Sequence, residues 1–530
     1  MRKNIYRLLF SLLVSYALPA QSQTELKIDP LMLVSLKEAR SVTSKIGAQL
    51  FPGWDFSKIP ILFYRPNVQE ILINFPYKPK GFSVYNGFNP LGSEKIYYRN
   101  DTTFFTIDGQ NTAFDIDSTR VLVVADRSSN LRTQLTDVAL SRTKEFAQKY
   151  FDTWGFVQSP YDDLLTMLHE GFHVYQHARA PDKFANEVAI VKYPTLDPQN
   201  NALYVLEANI LKSAIETNDQ SFRMKKIKEF VAVRTYRQSL LDSNLVEYEN
   251  LNEYAEGLAR YIEFKFLKSA QNLKPGLEMN YYPEFKGYGK ALDTLLHEKL
   301  NRMIDFVSSD NDAFENKYGT GPVRFRLYPL GASEGLLLDE VMPSWKNKIF
   351  ADKVYLCDLL KEAVHLTGNQ LNEYLDSAKN EYGFMKIVAD KIQFEADGKK
   401  YAQQKADNIL NTNQTLIKIN YKDFVERAFV YRFTPFGITK VTDSISIFDL
   451  VPVLVGFKDS VELDMKDAIP VLIDKGHKYV AFALHVPADD IKISPSGNIE
   501  TKDFSLYGAA MDLNKSGNVV EIKFKDHSNK

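Results

Sequence analysis

Hydrophobic positions follow three patterns along the chain, and the first covers roughly the N-terminal quarter. Residues 30–50 place apolar side chains at helical intervals, which predicts an amphipathic helix. Short apolar runs bounded by Pro, Asn or Asp come next, as is typical of strands. These runs cover residues 59–64, 70–75, 95–98, 102–106 and 120–124. We therefore expect residues 23–135 to form an α+β subdomain with a mostly antiparallel sheet.

The second and third patterns divide the rest of the chain into a helical part and a β-rich part. Helices are predicted over residues 135–150, 202–216, 222–241, 251–267, 288–307, 332–342, 353–366 and 369–381. Strands are predicted over residues 415–419, 428–432, 444–448, 479–484 and 519–524. The expected fold is therefore α+β: a mixed N-terminal sheet, a mostly helical domain (136–385), and a β-rich, sandwich-like C-terminal domain (410–530).

The first 22 residues have the character of a secretory signal peptide. Arg2 and Lys3 precede an apolar stretch over residues 8–18, which is too short to span a bilayer. Small residues then predict cleavage at Ser22–Gln23. Because no later apolar run approaches about 18 residues, no membrane span is expected. These features predict an exported protein.

The net charge and the cysteine content limit the kinds of partner and the cellular compartment that we expect for this protein. With 65 basic and 67 acidic residues, the net charge is −2, so the chain has no bulk attraction for nucleic acid or anionic membranes. Cys357 is the only cysteine, so no intramolecular disulfide can form. Export without disulfides is more typical of a bacterial periplasm or cell exterior than of a eukaryotic secretory route. The sequence gives no indication of oligomeric state.

The strongest chemical motif is His-Glu-x-x-His over residues 169–173, within a predicted helix. Ser159 is a suitable N-cap, with a proline directly after it. Four residues along a helix amount to about one turn, so the rings of His169 and His173 can reach the same metal ion. Glu170 lies beside them and is free to activate a water molecule. The motif therefore predicts a zinc site with Glu170 as its base.

A catalytic zinc ion usually has three protein ligands, and this motif supplies two. His177 lies four residues after His173, but the intervening residues lack the Gly-then-His spacing of metzincins. Glu253 and Glu256 share a later predicted helix, and Glu207 lies on an earlier one. The residues alone leave His177, Glu207, Glu253 and Glu256 open as the third ligand.

A family resemblance favours one of these candidates. Residues 256–263 read Glu-Gly-Leu-Ala-x-Tyr-x-Glu, which resembles the Glu-Gly-Phe/Leu-Ala-x-Tyr segment of gluzincin metallopeptidases. Over these two helices the chain is similar to gluzincins of the thermolysin and M1 aminopeptidase type. The resemblance implies that His169, His173 and Glu256 bind zinc and that Glu170 is the general base. His173 and Glu256 are 83 positions apart, against a familiar gap of about 20, which implies an inserted helical pair.

Other residues are candidates for contacts with the substrate. A tetrahedral oxyanion needs a hydrogen-bond donor besides the metal, and Tyr328, predicted at a helix start after a Gly-rich turn, is our candidate. Arg324 and Arg326 are candidates to bind a substrate carboxylate. The Gly-x-Met-Glu-Asn exopeptidase segment of M1 aminopeptidases is absent, and residues 81–86 have the wrong residues for it. An endopeptidase is therefore preferred.

We expect an exported zinc-dependent metallohydrolase, and specifically a peptidase acting on peptide or protein substrates. A sheet edge beside the metal site is suited to hold an extended peptide by strand addition. Two other interpretations remain: a non-catalytic exported binding protein on a metallopeptidase scaffold, and a zinc hydrolase of a non-peptide amide. The β-rich tail and the long insertion motivate the binding-protein interpretation.

Overall fold

A computed structural model describes residues 25–92, 94–100, 111–126, 159–282, 284–311, 313–450, 453–458 and 460–525. It confirms the α+β class, with one sheet before the helical region and two sheets after it. The predicted signal peptide (1–22), strand (102–106) and helix (135–150) lie outside the described residues and stay predictions. Among the helices that are described, none has the length and apolar character needed to cross a bilayer.

The N-terminal part contains a helix, α1 (Pro30–Leu50), and a mixed sheet. The strands of the sheet are β1 (Ile61–Arg65), β2 (Gln69–Ile73), β3 (Ser83–Val84), β4 (Ile96–Arg99), β5 (Thr112–Ile116) and β6 (Thr119–Ala125). Their order is β3-β4-β2-β1-β6-β5, and every pair is antiparallel except β1 with β6. Alternate residues of β1 and β2 enter two different cores, one beneath the helices and one on the opposite face. The sheet therefore lies between two apolar layers, and β5 forms its last strand.

Helices dominate the middle of the chain and continue into a long connecting helix. They are α2 (Pro160–Arg179), α3 (Pro198–Glu216), α4 (Gln220–Ser239), α5 (Ser243–Asn252), α6 (Leu258–Ser269), α7 (Gly289–Asp305), α8 (Thr320–Val341), α9 (Trp345–Lys348), α10 (Leu356–Val364), α11 (Gly368–Glu381) and α12 (Phe384–Leu410). Helix α12 is absent from the predictions because its buried face includes Lys391 and Gly398 besides small alanines, which weakens the apolar periodicity.

Two predicted helix boundaries near the motifs are wrong. The helix predicted over 251–267 is interrupted by a π-helical turn, Glu253–Gly257, between α5 and α6. Tyr328 does not begin a helix, because α8 starts at Thr320 and runs through Pro329. A proline inside a helix removes one backbone hydrogen bond. Helix α8 tolerates it because the helix is almost fully buried, so tertiary packing outweighs the local preference.

The C-terminal part has two packed sheets, as the sandwich-like prediction requires. Their strands are β7 (Thr415–Asn420), β8 (Phe429–Arg432), β9 (Ile438–Lys440), β10 (Ile445–Phe448), β11 (Val453–Lys458), β12 (Val461–Met465), β13 (Val471–Asp474), β14 (Tyr479–Leu484), β15 (Ile499–Glu500), β16 (Phe504–Tyr507), β17 (Met511–Ser516) and β18 (Val519–Phe524). One sheet has the strand order β17-β18-β7-β14-β13-β10-β9, and the other has the order β15-β16-β12-β11-β8. The rings of Phe482 and Phe504, one from each sheet, pack 5.0 Å apart.

The C-terminal part contacts the start of helix α8. The backbone N–H of Ile438 donates a hydrogen bond to Oγ1 of Thr320 (3.1 Å).

Candidate metal centre

Helix α2 presents His169, Glu170 and His173 towards one cavity. The helix begins after Ser159, whose Oγ accepts a hydrogen bond from the backbone N–H of Asp162 (3.1 Å), as predicted for an N-cap. Because the two histidines are one turn apart, their Nε2 atoms lie only 3.2 Å from each other. The local sequence is therefore sufficient to place two imidazoles at one point.

A carboxylate from another helix completes a triangle of possible ligand atoms. The π-helical turn carries Glu256 to α2, where its Oε2 lies 3.5 Å from Nε2 of His169 and 3.5 Å from Nε2 of His173. A tetrahedral zinc ion with bonds of about 2.05 Å holds its ligand atoms about 3.3 Å apart. The three atoms thus have the mutual spacing that a single tetrahedral ion requires.

The Nδ1 atom of each histidine ring is hydrogen-bonded to a neighbouring side chain. When the ring is neutral and Nδ1 carries the proton, Nε2 is an acceptor. Nδ1 of His169 donates to Oε1 of Glu263 (2.7 Å). Nδ1 of His173 donates to Oε1 of Gln176 (2.9 Å), and the Gln176 amide is oriented by its own donation to the carbonyl of Tyr254 (2.9 Å). Such outer partners fix the tautomer and the ring orientation in metal sites. Each Nε2 therefore directs a lone pair at the same point as the Glu256 carboxylate.

The surrounding charges favour a positive charge at the point where the two Nε2 atoms and the Glu256 carboxylate meet. Burial opposes charge on the His169 ring, but hydrogen bonds to Glu256 and Glu263 outweigh it and raise the pKa of His169 to about 9. Burial also disfavours ionised Glu256, yet hydrogen bonds from the two histidines hold its pKa well below the usual range. In the metal-free site a proton on the imidazole nitrogens meets this demand for positive charge, and a metal ion that displaced the proton would face three acceptor atoms at one point. The donor set therefore fits a divalent metal ion, and its two nitrogens and one oxygen are a ligand set typical of catalytic zinc.

Glu170 is suited to accept a proton beside this site. Its carboxylate lies within 4.8 Å of the ligand atoms of His169 and His173. Burial raises the pKa of Glu170, although the nearby histidines oppose the shift. A carboxylate with a raised pKa takes a proton more readily near neutral pH, as a general base must.

Tyr328 and Arg324, both on helix α8, lie beside His169 and Glu256. The Tyr328 ring is nearly parallel to that of His169, with ring centroids 6.5 Å apart. Arg324 donates to the Tyr328 hydroxyl, and its Nη2 lies 3.3 Å from Oε1 of Glu256. Burial and the Glu256 charge raise the pKa of Tyr328 well above its usual value, against the effect of Arg324. The Tyr328 hydroxyl therefore keeps its proton and remains a hydrogen-bond donor.

The site opens into a cavity of about 600 Å³. Strand β5 contributes Thr112 and Ala113 to one wall. Phe325 from α8 and Phe436 from the C-terminal part contribute another, with their rings 5.5 Å apart. The β-rich C-terminal part therefore helps to shape the cavity, a role that sequence reasoning did not assign to it.

Two alternative ligands, Glu253 and Glu207, are held elsewhere by buried arginines. Nη1 of Arg234 contacts both carboxylate oxygens of Glu253, at 2.8 and 3.0 Å. Nε of Arg237 donates to Oε1 of Glu207 (2.8 Å). A π-helical turn contains more residues than an α-helical one, so Glu253 and Glu256 do not share a face as expected from a regular helix. Glu253 points into the core, and Glu256 points to the histidines.

His177 and Arg326 also lie away from the ligand atoms. The His177 ring packs against Phe184, with ring centroids 5.9 Å apart, and does not line the cavity. Arg326 is fully buried and donates to the Tyr193 hydroxyl (2.6 Å). Of the two arginines proposed for substrate binding, only Arg324 reaches the site.

The buried ion pair between Arg237 and Glu249 predicts that the free energy of unfolding decreases in acid. Burial disfavours ionised Glu249, but the charge and hydrogen bonds of Arg237 outweigh it and lower the pKa of Glu249 from 4.5 to about 2. A pKa that is depressed on folding gives stability that is complete above pH 4.5 and is lost as the pH falls towards 2. We expect a loss of about 3 kcal/mol from this group. Urea unfolding from pH 6 to pH 2 should show a flatter pH dependence for Glu249→Gln than for the wild type, and equal slopes would contradict the assignment.

A contact between two glycines positions the π-helical turn against α8. A Cβ atom added to Gly331 would lie 2.6 Å from the carbonyl oxygen of Glu253 and 3.0 Å from Cα of Gly257. Because both are backbone atoms, the two helices would have to separate. Gly331→Ala should lower the free energy of unfolding by about 1–3 kcal/mol, measured by urea unfolding. Gly368→Ala is the control: nothing lies within 4 Å of the added atom, so its effect should stay within about 0.5 kcal/mol.

Sequence reasoning gave no role to several residues that support the site. Glu263 lies within the family-like segment, but the sequence does not predict its contact with His169. Gln176 could have been found, because it lies three residues after His173 on the same helix. Arg260 and Lys299, which approach Glu263 from α6 and α7, had no sequence signal.

Comparisons with protein-family models, with curated proteins and with solved structures found no match to this chain. The resemblance to gluzincins therefore rests on the residues of the two helices.

Proposed function

We propose that this chain is a zinc-dependent hydrolase that cleaves peptide bonds. The observation that carries the proposal is the triangle of acceptor atoms formed by His169, His173 and Glu256, with sides of 3.2, 3.5 and 3.5 Å. These three residues would hold the ion. When bound, zinc lowers the pKa of a water molecule and polarises a carbonyl group.

The surrounding residues supply the remaining chemistry of hydrolysis. Glu170 would take a proton from the attacking water and deliver it to the leaving nitrogen. The Tyr328 hydroxyl would donate a hydrogen bond to the oxyanion as the carbonyl carbon becomes tetrahedral. Arg324 would orient that hydroxyl through its contact with it. Glu263 would keep the His169 ring in the orientation that presents Nε2.

The cavity wall favours a peptide over other amides. Strand β5 is the last strand of the N-terminal sheet in the described residues, and Thr112 and Ala113 line the cavity. An extended peptide can add to such an edge through main-chain hydrogen bonds, which hold a chain regardless of its side chains.

The proposal is tested by peptide cleavage that depends on zinc. Zinc-loaded protein should cleave members of a mixed peptide library, identified by mass spectrometry. Protein stripped with a chelator should be inactive and should recover when one equivalent of zinc is restored. Protein that binds one zinc ion but cleaves no peptide would overturn the proposal and favour a binding protein or a hydrolase of another bond.

A further inference from the structure

The cavity contains two cationic side chains that share one carboxylate. Arg260, on α6, donates from Nη1 to Oε2 of Glu263 (2.5 Å). Lys299, on α7, approaches the same oxygen at 3.6 Å. The other oxygen of Glu263 already accepts the bond from His169. Both cations line the cavity, and their side chains are 27% and 23% exposed.

Most of the donor capacity of this cationic pair, Arg260 and Lys299, is unused. A guanidinium has five N–H donors and an ammonium has three. Among the described residues, the only hydrogen bond from Arg260 is the one to Glu263, and Lys299 has none. Burial and the charge of Arg260 lower the pKa of Lys299, although Glu263 opposes this. An anionic ligand that contacted both cations would use these free donors and would oppose the lowering of the Lys299 pKa.

A third cationic side chain that lines the cavity, Arg120, also has an unused hydrogen-bond donor. Arg120, at the start of β6, lines the same cavity and pairs through Nη1 with Asp115 (3.0 Å). Its Nε is out of contact with solvent and has no hydrogen-bond partner among the described residues. Asp162 also lines the cavity and attracts Lys299 over a longer distance, but it already accepts a bond from the Ser159 hydroxyl (2.8 Å).

We propose that Arg260 and Lys299 bind a carboxylate of the substrate and thereby select peptides that are acidic next to the cleaved bond. This inference rests on the proposed peptidase function. Arg260 is separated from His169 only by Glu263, so the carboxylate would belong to a residue within one or two positions of the scissile bond, at about 3.4 Å per extended residue. The carboxylate can come from an Asp or Glu side chain or from a free C-terminus.

The test compares matched peptides that differ only in this charge. One pair carries Glu or Gln beside the cleaved bond, and a second pair ends there in a carboxylate or a carboxamide. We expect kcat/KM to favour the anionic member of one pair by about 10- to 100-fold. A preference in the first pair identifies an acidic side chain as the source, and a preference only in the second identifies a C-terminal carboxylate.

Variants assign the preference to the cationic pair. Lys299→Met keeps the aliphatic stem and should lose most of the preference, whereas Lys299→Arg should retain it. Lys290→Met, an exposed lysine on the same helix, is the matched control and should retain it. A ratio near one in the wild type, or an unchanged ratio in Lys299→Met, would overturn the inference.

A measurement of peptide binding distinguishes a failure of this inference from a failure of the proposed function. Zinc-loaded Glu170→Gln should bind the anionic peptide more tightly than its neutral partner, measured by calorimetry. If that preference exists but the wild type cleaves neither peptide, the proposed function is wrong and the carboxylate site stands. If the wild type cleaves both peptides equally, the carboxylate site is wrong and the peptidase proposal stands.

Discussion

Replacing Glu170 by glutamine is expected to lower kcat/KM for peptide cleavage by about a thousandfold, within the range of general acid–base catalysis. The amide has nearly the shape of the carboxylate but cannot accept the proton of water. Because the ligand triangle is formed by the atoms of His169, His173 and Glu256, zinc content should stay at one ion per chain. Peptide kinetics and elemental analysis on the same preparation measure both quantities.

Two further variants test whether the loss of activity in Glu170→Gln comes from the loss of the carboxylate at this position. Glu170→Asp keeps a carboxylate one methylene further from the water and should retain more activity than glutamine. Glu298→Gln changes an exposed carboxylate on α7 in the same way and should behave like the wild type. Unchanged turnover in Glu170→Gln would exclude this residue as the base, and simultaneous loss of zinc would instead give it a role in binding the metal.

Glu256→Gln is expected to weaken zinc binding by about 100-fold or more. Structural zinc sites with four ligands bind with about 10–16 kcal/mol in total, so a loss of roughly 3 kcal/mol for one ionised ligand is reasonable. The amide also removes the negative charge that attracts the cation. Competition with a chromophoric chelator measures the affinity, and Glu298→Gln again serves as the matched control. If Glu256→Gln bound zinc as tightly as the wild type, the third ligand would have to be another residue.

The part of the site that lies within one helix could be predicted from the sequence. His169, Glu170 and His173 are fixed by helical spacing, and the cap at Ser159 identified the helix itself. Glu256 required a likeness to known segments, because 83 positions of chain separate it from His173 and no local rule brings them together.

The features that were missed depend on tertiary contacts. The π-helical turn separates Glu253 from Glu256, and it lies against α8 at a close approach of Gly257 to Gly331 that no propensity encodes. Pro329 suggested a break that burial of α8 overrides. In the sequence, Arg260 and Lys299 cannot be distinguished from ordinary surface cations. Only the structure shows that both lie beside Glu263 in the cavity.

The most direct test of the metal centre is anomalous diffraction at the zinc edge from crystals of the zinc-loaded protein. We predict one peak per chain, about 2.0–2.2 Å from Nε2 of His169, Nε2 of His173 and a carboxylate oxygen of Glu256. A peak ligated by other residues, or no peak from protein prepared with excess zinc, would contradict it.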